Sequence, residues 1–322
     1  MENDKQLLSV KDLVVEYTSD GQIIHAVNGV SFNLKRGQSI GLVGETGAGK
    51  TTIAKSILQI IQSPPGYIKG GEIIFDGENL LEKNEQEMIK VRGSKISMIF
   101  QDPMTALNPT MAIGDQIAEV VRLHSDADKT EAKRQAIEIL KRVGIGPERY
   151  TDYPFQFSGG MKQRVVIAMA LVFKPELLLA DEPTTALDVT IQAQILDIIR
   201  DYKEHFNCSM VLITHDLGIV AENCDNVAVV YAGQIVEYGN LEDIFDHPSH
   251  PYTMGLFKSL PNMAIGEKRL HPIKGAPPDP RNLPEGCVFS PRCPYATDAC
   301  SMASIDMREI TPGHLCRCLR EV

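Results

Sequence analysis

The amino-acid sequence predicts an α/β fold in which helices cover a mostly parallel sheet. Short apolar runs at 39–43 and 177–180 are typical of buried strands, and another strand is predicted at 210–214. Between the last two runs, apolar residues recur at helical spacing over 191–202, which indicates a helix with one buried face. Strand and helix therefore alternate, as they do where crossover helices connect parallel strands.

Other elements extend this pattern before the composition changes. Strands are predicted at 72–75 and 96–100, and a helix is predicted over 128–143, where acidic residues begin it and a glycine follows it. Beyond about Gly239, few periodic segments remain, and ten prolines fall between residues 248 and 294. This composition predicts a separate, loop-rich segment at the carboxyl-terminal end.

Composition excludes several classes of protein. The chain has 322 residues, enough for one large or two medium domains with buried cores. Its net charge of −10 argues against a surface that binds the phosphates of nucleic acid. No apolar run approaches the roughly 20 residues of a membrane helix, and the amino-terminal residues lack the features of a signal peptide. We therefore expect a cytosolic chain that meets a membrane only through partners.

A phosphate-binding loop is predicted directly after the strand at 39–43. Residues 44–51 match the pattern G-x-x-x-x-G-K-[ST], and a helical run follows at 52–60, which is the context this loop requires. Glycines let backbone N–H groups surround phosphates, Lys50 brings a positive charge, and Thr51 offers a hydroxyl to Mg²⁺. The predicted ATP contacts are Gly44, Glu45, Thr46, Gly47, Ala48, Gly49, Lys50, Thr51 and Thr52.

Two acidic residues follow the apolar strand at 177–180. Asp181 is predicted to hold Mg²⁺, through a water molecule. Glu182 lies one residue further, so its side chain points elsewhere, and it is predicted to polarise the water that attacks ATP. Taken alone, the pair could instead cap a helix. Together with the phosphate loop, it favours a site that hydrolyses a nucleotide.

The run F-S-G-G-M-K-Q at 157–163 resembles the LSGGQ signature of ABC ATPases, and it departs from that signature at Phe157 and Met161. The resemblance implies that Ser158, Gly159 and Gly160 contact the γ-phosphate of ATP. It is strengthened by a helical run that follows directly and by the strand with its two acids about twenty residues further on.

This resemblance implies a P-loop NTPase (RecA-like) core with a mixed sheet. The core would comprise residues 1–100 and 158–238. An inserted α-helical subdomain over 101–157 would couple the ATPase to a membrane permease, and 239–322 would form a small, loop-rich carboxyl-terminal extension with a cysteine cluster.

Further residues match elements of the family in the expected order. Gln101 looks like the glutamine that senses Mg²⁺ and the attacking water, and Asp188 lies in a run similar to the D-loop at 186–188. His215, after the strand at 210–214, looks like the switch histidine that contacts the γ-phosphate. Tyr17 is placed like the aromatic residue that stacks on adenine. The resemblance thus implies Glu182, His215 and Gln101 as the catalytic residues.

In this family two ATPase subunits pair head to tail, and each ATP lies between the phosphate loop of one and the signature of the other. The implied partners are a second ABC ATPase subunit, two membrane permease subunits and, indirectly, an extracytoplasmic solute-binding protein. A related chain is expected as the second ATPase, with another copy of this chain as the alternative. The expected location is the cytoplasmic face of the cell membrane.

Three stretches narrow the match. Residues 100–109, 250–253 and 284–294 resemble the corresponding stretches in the ATPases of oligopeptide, dipeptide and nickel importers. The predicted function is ATP hydrolysis that powers uptake of di- or oligopeptides. The alternatives are uptake of nickel or another solute, and an ABC ATPase that acts on nucleic acid or ribosomes. A single ATPase domain, no sustained heptads and a net charge of −10 oppose the last of these.

Five cysteines lie near the carboxyl-terminal end, and such clusters in cytosolic proteins favour a metal site over disulfides. Cys287, Cys293, Cys300 and Cys318 are similar to the set that holds a [4Fe–4S] cluster in dipeptide-importer ATPases. Cys316 is the alternative fourth ligand. Zn²⁺ is the alternative metal, because four thiolates suit either group.

Overall fold

The structure is a computed structural model that describes residues 5–185, 187–259 and 272–320. The chain divides into two compact units. The first is formed chiefly by Glu82–Ile213, and the second by Leu7–Asn33, Ile40–Leu81 and the described part of Thr214–Val322. Each unit has its own buried apolar residues. No helix within the described ranges is long and apolar enough to cross a membrane.

The described residues form strands of two to 14 residues. They are β1 (Gln6–Ser19), β2 (Gln22–Lys35), β3 (Ser39–Val43), β4 (Gly66–Phe75), β5 (Glu78–Asn79), β6 (Ile96–Ile99), β7 (Leu177–Asp181), β8 (Ser209–Thr214), β9 (Asn226–Tyr231), β10 (Gln234–Asn240), β11 (Arg308–Thr311) and β12 (His314–Cys316).

Helices of four to 18 residues lie between these strands. They are α1 (Lys50–Ile57), α2 (Glu85–Ile89), α3 (Pro103–Ala106), α4 (Ile113–His124), α5 (Lys129–Arg142), α6 (Gly159–Leu171), α7 (Val189–Phe206), α8 (Leu217–Asn223), α9 (Leu241–Asp246), α10 (Pro251–Lys258) and α11 (Ala299–Met302).

The first unit contains the parallel strands that the sequence predicts. Strand β6 pairs with β7, and β7 pairs with β8, both in parallel register. Every residue of these strands is buried, which explains why each reads as a nearly continuous apolar run. Because parallel strands end at the same edge of a sheet, the residues that follow β6 and β7 are brought close together.

Helix α5 confirms the helix predicted over 128–143. Asp128 is its N-cap, and the carboxylate accepts a hydrogen bond of 2.8 Å from the backbone N–H of Glu131. Ala132, Ala136 and Leu140 are buried at intervals of four residues, so one face packs on the unit. The helix ends before Gly144, whose φ of 76° is the left-handed conformation that glycine adopts readily.

The second unit contains two sheets. One is antiparallel, in the order β2-β1-β4-β5, and the strand predicted at 72–75 is the end of its long strand β4. The other is mixed: β3 pairs with β9 in parallel, and β10, β12 and β11 continue from β9 in antiparallel register. Strand β3 leads into the phosphate loop, so this mixed sheet supports the nucleotide site.

The described part of the carboxyl-terminal extension is loop-rich, as predicted, but it also joins the mixed sheet. Strand β12 pairs with β10, where Cys316 lies opposite Glu237. The fully buried Glu237 carboxylate accepts backbone N–H groups of Ser249 at 2.6 Å and His250 at 3.0 Å, and it contacts the ring of His314 at 2.8 Å. These charge-assisted hydrogen bonds anchor the extension. The predicted division at residues 100, 157 and 238 stays a prediction.

Candidate functional site

The phosphate loop follows β3 and requires glycine at both ends. Gly44 lies against the carbonyl oxygen of Val230, and Gly49 lies against that of Ala26. A Cβ atom at either position would clash with the oxygen. Gly49 also has a φ of 100°, a conformation that other residues rarely adopt. The loop can therefore follow this path only with the glycines of the predicted motif.

Lys50 begins helix α1 at the end of this loop. Its side chain is buried, and Nζ donates hydrogen bonds to the carbonyl of Gly44 at 2.7 Å and to that of Glu45 at 3.0 Å. Among the residues that the structure describes, no side chain caps α1. The ammonium group and the positive end of the helix lie together, an arrangement suited to bind phosphates. The remaining predicted contacts lie along the same segment, at Thr46, Gly47, Ala48, Thr51 and Thr52.

The carboxyl-terminal extension also contacts this loop, which the sequence analysis missed. The guanidinium of Arg292 forms a two-pronged ion pair with Glu45, with N–O distances of 2.8 and 3.1 Å. The hydroxyl of Tyr252 accepts a hydrogen bond of 2.9 Å from the backbone N–H of Glu45. Both partners lie in stretches that narrowed the family match, but no spacing in the sequence indicates their contact with the loop.

A second cluster forms in the first unit, where β6 and β7 end side by side. Asp181, the last residue of β7, is 2% exposed. The next residue, Glu182, accepts hydrogen bonds at Oε2 from Nε2 of Gln101 at 2.9 Å and from the hydroxyl of Thr185 at 2.8 Å. The structure thus brings together two of the predicted catalytic residues. Thr185 was not predicted.

The backbone at Glu182 is unusual. Its φ is 45°, in the left-handed region that non-glycine residues seldom adopt, and its N–H donates to the carbonyl of Ile213 at 2.8 Å. Such conformations persist where neighbouring contacts hold them, and they are frequent at active sites. The alternative role of this pair as a helix cap does not apply, because α7 starts at Val189 and is capped by Asp188.

The predicted signature lies at the start of α6. Ser158 is the N-cap, and its hydroxyl accepts a hydrogen bond of 3.4 Å from the N–H of Met161. Ser158 and Gly159 are exposed, whereas Gly160 packs against Ile191. At one departure from the family pattern, Phe157 is buried under the guanidinium of Arg149, 4.3 Å from the ring centre. The departure therefore leaves the exposed serine and glycine in place.

The other predicted residues occupy separate positions. Asp188 accepts the backbone N–H of Ile191 at 2.9 Å, so its carboxylate serves as the N-cap of α7. His215 is exposed and follows β8, and Tyr17 is half-buried on β1, opposite Gly66. Ala186 of the predicted D-loop lies outside the described residues.

Comparisons with known proteins show the family of this chain. A family model described as "ABC transporter" matches residues 27–185, and one described as "Oligopeptide/dipeptide transporter, C-terminal region" matches residues 236–300. The chain is 52% identical over 294 residues to the oligopeptide transport ATP-binding protein OppD of Bacillus subtilis (strain 168), covering 90% of this chain and 82% of the relative. This chain belongs to the ABC transporter ATP-binding proteins.

Two other relatives support the assignment of this chain to the family. OppD of Escherichia coli (strain K12) is 46% identical to this ABC ATPase, and the match covers 98% of this chain and 94% of the relative. The dipeptide transport ATP-binding protein DppD of Bacillus subtilis (strain 168) is 47% identical, and the match covers 92% of this chain and 89% of the relative.

Solved structures match the predicted P-loop fold with its mixed sheet and helices. A dimeric, post-hydrolysis structure of the ATP-binding cassette MJ0796 with ADP and Pi matches with a TM-score of 0.66 and 26% identity, covering 73% of this chain and 99% of that one. The structure of cbiO1 from Clostridium perfringens matches with a TM-score of 0.64 and 28% identity, and the match covers 76% of this chain and 92% of cbiO1.

Away from the nucleotide site, the extension of this ABC ATPase encloses a cavity of about 160 Å³. Cys287, Cys293, Cys300 and Cys318 all line it, whereas Cys316 is not among the lining residues and is buried within β12. Burial raises the pKa of the Cys287 and Cys293 thiols above the usual range. These thiols are therefore protonated at neutral pH, and a metal would have to displace the protons.

The arrangement of the four cavity cysteines does not by itself indicate a bound metal. Among the described residues, no three His, Cys, Asp or Glu side chains are arranged to hold a metal ion. The predicted metal-ligand set of Cys287, Cys293, Cys300 and Cys318, with Cys316 as the alternative, is therefore not supported by this geometry.

One buried group on the cavity wall has chemistry that fits a sulfur-rich occupant. His250 is 1% exposed, and its Nδ1 accepts the backbone N–H of Tyr252 at 3.1 Å. Burial lowers the pKa of this imidazole to about 3, so it is neutral and its proton is on Nε2. Nε2 has no hydrogen bond of good geometry among the described residues, and the backbone of Arg317 lies close enough to the ring to raise its pKa against the effect of burial. The N–H of this neutral ring therefore lies on the wall of the cavity that the four cysteines line.

Proposed function

We propose that this ABC ATPase hydrolyses ATP to power the uptake of di- or oligopeptides through separate membrane permease subunits. The observation that carries the hydrolytic role is the carboxylate of Glu182, held by Gln101 and Thr185 at the end of a buried strand. Support for a peptide substrate comes from the match of residues 236–300 to the oligopeptide/dipeptide transporter region and from relatives named for peptide transport.

In the proposed reaction, the backbone of the phosphate loop and Lys50 bind the phosphates of ATP. Glu182 orients a water molecule and accepts its proton as the water oxygen attacks the γ-phosphorus. The bond between that phosphorus and the bridging oxygen of ADP breaks, and ADP and phosphate are released. Thr51 and Asp181 would hold Mg²⁺, which neutralises charge on the phosphates when bound with ATP.

A second ATPase subunit completes the site in this proposal. Ser158 and Gly159 are exposed, and the nearby Val189 is 83% exposed although it is apolar. An exposed hydroxyl, exposed backbone N–H groups and an apolar residue are features of a surface that a partner covers. The comparison with a dimeric ATP-binding cassette supports this proposal. Asp188 lies beside this surface, and His215 and Tyr17 would contact ATP from their own subunit.

The helical subdomain is the proposed contact with the permease. Between residues 101 and 157, several large apolar side chains are exposed, among them Met104 at 63%, Leu123 at 71% and Phe155 at 76%. Side chains of this kind provide docking energy when a partner buries them. The chain would thus lie at the cytoplasmic face of the cell membrane, and the permease would receive solute from an extracytoplasmic binding protein.

We further propose that the cysteine cavity holds a [4Fe–4S] cluster on Cys287, Cys293, Cys300 and Cys318, with zinc as the alternative. Four thiols on one cavity and the buried, neutral imidazole of His250 on its wall support the cluster, because N–H donors to sulfur are a common feature of such sites.

Uptake by the intact transporter tests the function. The complex isolated from native membranes is placed in lipid vesicles, with ATP enclosed in the vesicle lumen. Uptake of a labelled dipeptide, a labelled pentapeptide and Ni²⁺ into the lumen is then measured. We expect ATP-dependent uptake of at least one peptide and none with a Glu182→Gln variant. Uptake of Ni²⁺ without peptide uptake would make nickel the substrate, and the absence of membrane subunits in the isolated complex would contradict the transporter role.

Metal analysis of protein purified without oxygen tests the cofactor. We expect four iron atoms and four acid-labile sulfides per chain, with visible absorption that a Cys293→Ser variant loses. One zinc per chain without sulfide would favour the alternative metal. Protein that holds neither metal would contradict both.

A further inference from the structure

We propose that the carboxyl-terminal extension is part of the nucleotide site, in which Arg292 is a positioning residue that acts through Glu45 of the phosphate loop. This inference rests on the ATP binding proposed above and not on the peptide substrate or on the content of the cysteine cavity.

The contact between Arg292 and Glu45 has the geometry of a strong ion pair. Nη1 of Arg292 lies 2.8 Å from Oε2 of Glu45, and Nη2 lies 3.1 Å from Oε1. Such parallel, two-pronged pairing fixes orientation as well as distance. The Arg292 side chain is 5% exposed and that of Glu45 is 29% exposed, so water screens this pair only partly.

Arg292 is itself held in place before it meets the loop. Its Nε donates to the carbonyl of Lys274 at 3.1 Å, its Nη2 to that of Ile273 at 3.4 Å, and its Nη1 to the hydroxyl of Tyr231 at 3.2 Å. A guanidinium with this many fixed acceptors has little freedom to follow Glu45 if the loop moves. The loop is therefore held to a fixed point on the extension.

Glu45 is also fixed through its backbone. Its N–H donates to the hydroxyl of Tyr252 at 2.9 Å, and its carbonyl accepts hydrogen bonds from Nζ of Lys50 at 3.0 Å and from the N–H of Ala48 at 3.2 Å. Glu45 thus links two residues of the extension to the lysine that binds phosphate. A change in the position of Glu45 would displace the groups that receive ATP.

Charge gives the pair a second role. Glu45 is an acidic residue inside a loop that must bind a highly negative ligand, and like charges repel at short range. Arg292 cancels that charge where the loop receives phosphates. Loss of Arg292 would leave the carboxylate uncompensated and mobile, which would both repel ATP and lower the fraction of loops in the binding conformation.

Nucleotide affinity and kinetics test this role. For an Arg292→Gln variant we expect the Kd and KM for ATP to rise roughly five- to tenfold, the size of effect expected for one partly screened charge, with kcat within about twofold of wild type. A Glu45→Gln/Arg292→Gln double variant removes the uncompensated charge but not the loss of the fixed contact, so it is expected to recover only part of the affinity. Arg281→Gln is the control, since Arg281 pairs with Asp279 in the same extension but in an exposed position.

The readouts separate this role from a purely structural one. Wild-type affinity in Arg292→Gln, or no recovery in the double variant while both variants remain folded by circular dichroism, would overturn the proposal. If Arg292→Gln does not fold, Arg292→Lys is measured instead; it keeps the charge without the two-pronged geometry, and the proposal then requires ATP binding several-fold weaker than wild type. Because affinity is measured without the permease, failure of peptide uptake leaves this test unaffected.

Discussion

Two glutamates of this ABC ATPase show how the surroundings of a carboxylate decide its role. Glu182, at the end of β7, accepts hydrogen bonds from an amide and a hydroxyl, Gln101 and Thr185, which orient it without removing its charge. Glu45, in the phosphate loop, is paired with the guanidinium of Arg292. Neutral donors leave a base that can accept a proton, whereas a fixed cation turns the same group into an anchor.

The largest effect is expected from Glu182→Gln. The amide can still occupy the same position but cannot accept a proton, so kcat should fall about 10²- to 10⁴-fold, the range typical of general-base catalysis. The Kd for ATP should stay within a few-fold of wild type, and ATP should hold the paired subunits together. Steady-state ATPase assays and size-exclusion chromatography with ATP check both parts.

The matched control is Glu176→Gln. Glu176 lies in the same unit and pairs with Arg36 at 2.6 Å. Its substitution therefore removes the same charge as Glu182→Gln, but away from the proposed site. A wild-type rate in Glu182→Gln, or an equal loss of rate in Glu176→Gln, would remove the distinction between the two glutamates.

The same substitution at Glu45 should affect stability instead of kcat. In Glu45→Gln the buried guanidinium of Arg292 keeps its other acceptors but loses its counter-ion, and breaking a buried pair costs about 3 kcal/mol. Part of Glu45 is exposed, so we expect a loss of about 1–2 kcal/mol in the free energy of unfolding. Denaturant titration measures it, and a large drop in kcat at saturating ATP would contradict the comparison.

Gln101→Ala sharpens the role of the donors to Glu182. It removes one hydrogen bond to a charged group, worth about 1.5 kcal/mol, so kcat should fall roughly tenfold while ATP affinity changes little. The measurement is kcat at saturating ATP and Mg²⁺. An unchanged kcat would show that Gln101 does not orient the base.

The smallest effect is expected from Thr185→Val, which keeps the shape of the side chain and removes its hydroxyl. Thr185 is exposed, so water can replace the lost donor to Glu182 at 2.8 Å. We expect kcat to fall about twofold to fivefold. A loss as large as that of Gln101→Ala would mean that the two donors hold Glu182 equally.

The parts of this structure that depend on local chemistry could be predicted from the sequence. The strand at 39–43, the phosphate loop and the capped helix α5 each carry their signal within a few residues. The contact of Gln101 with Glu182 joins residues 81 positions apart. Its parts were predicted because the family resemblance orders them, while the distance itself needed the structure.

Non-local contacts could not be predicted. The pair of Arg292 and Glu45 leaves no periodicity or spacing in the sequence, and neither does the pairing of β12 with β10. For Cys316 and Cys318, the family resemblance favoured Cys318, and the structure adds where each residue lies. Cys316 lies within a strand and faces the core, whereas Cys318 lies beyond the end of that strand and lines the cavity with the other cysteines.

Glu45 and Arg292 lie 247 positions apart in the sequence, and this separation also bears on how the protein is made. A ribosome synthesises the phosphate loop long before the arginine that anchors it. A nascent chain can therefore fold β3 and α1 yet lack the contact that we propose for full ATP affinity. Nucleotide would bind tightly only after the extension has been translated and has paired with β10, so unfinished or truncated chains would compete poorly for ATP.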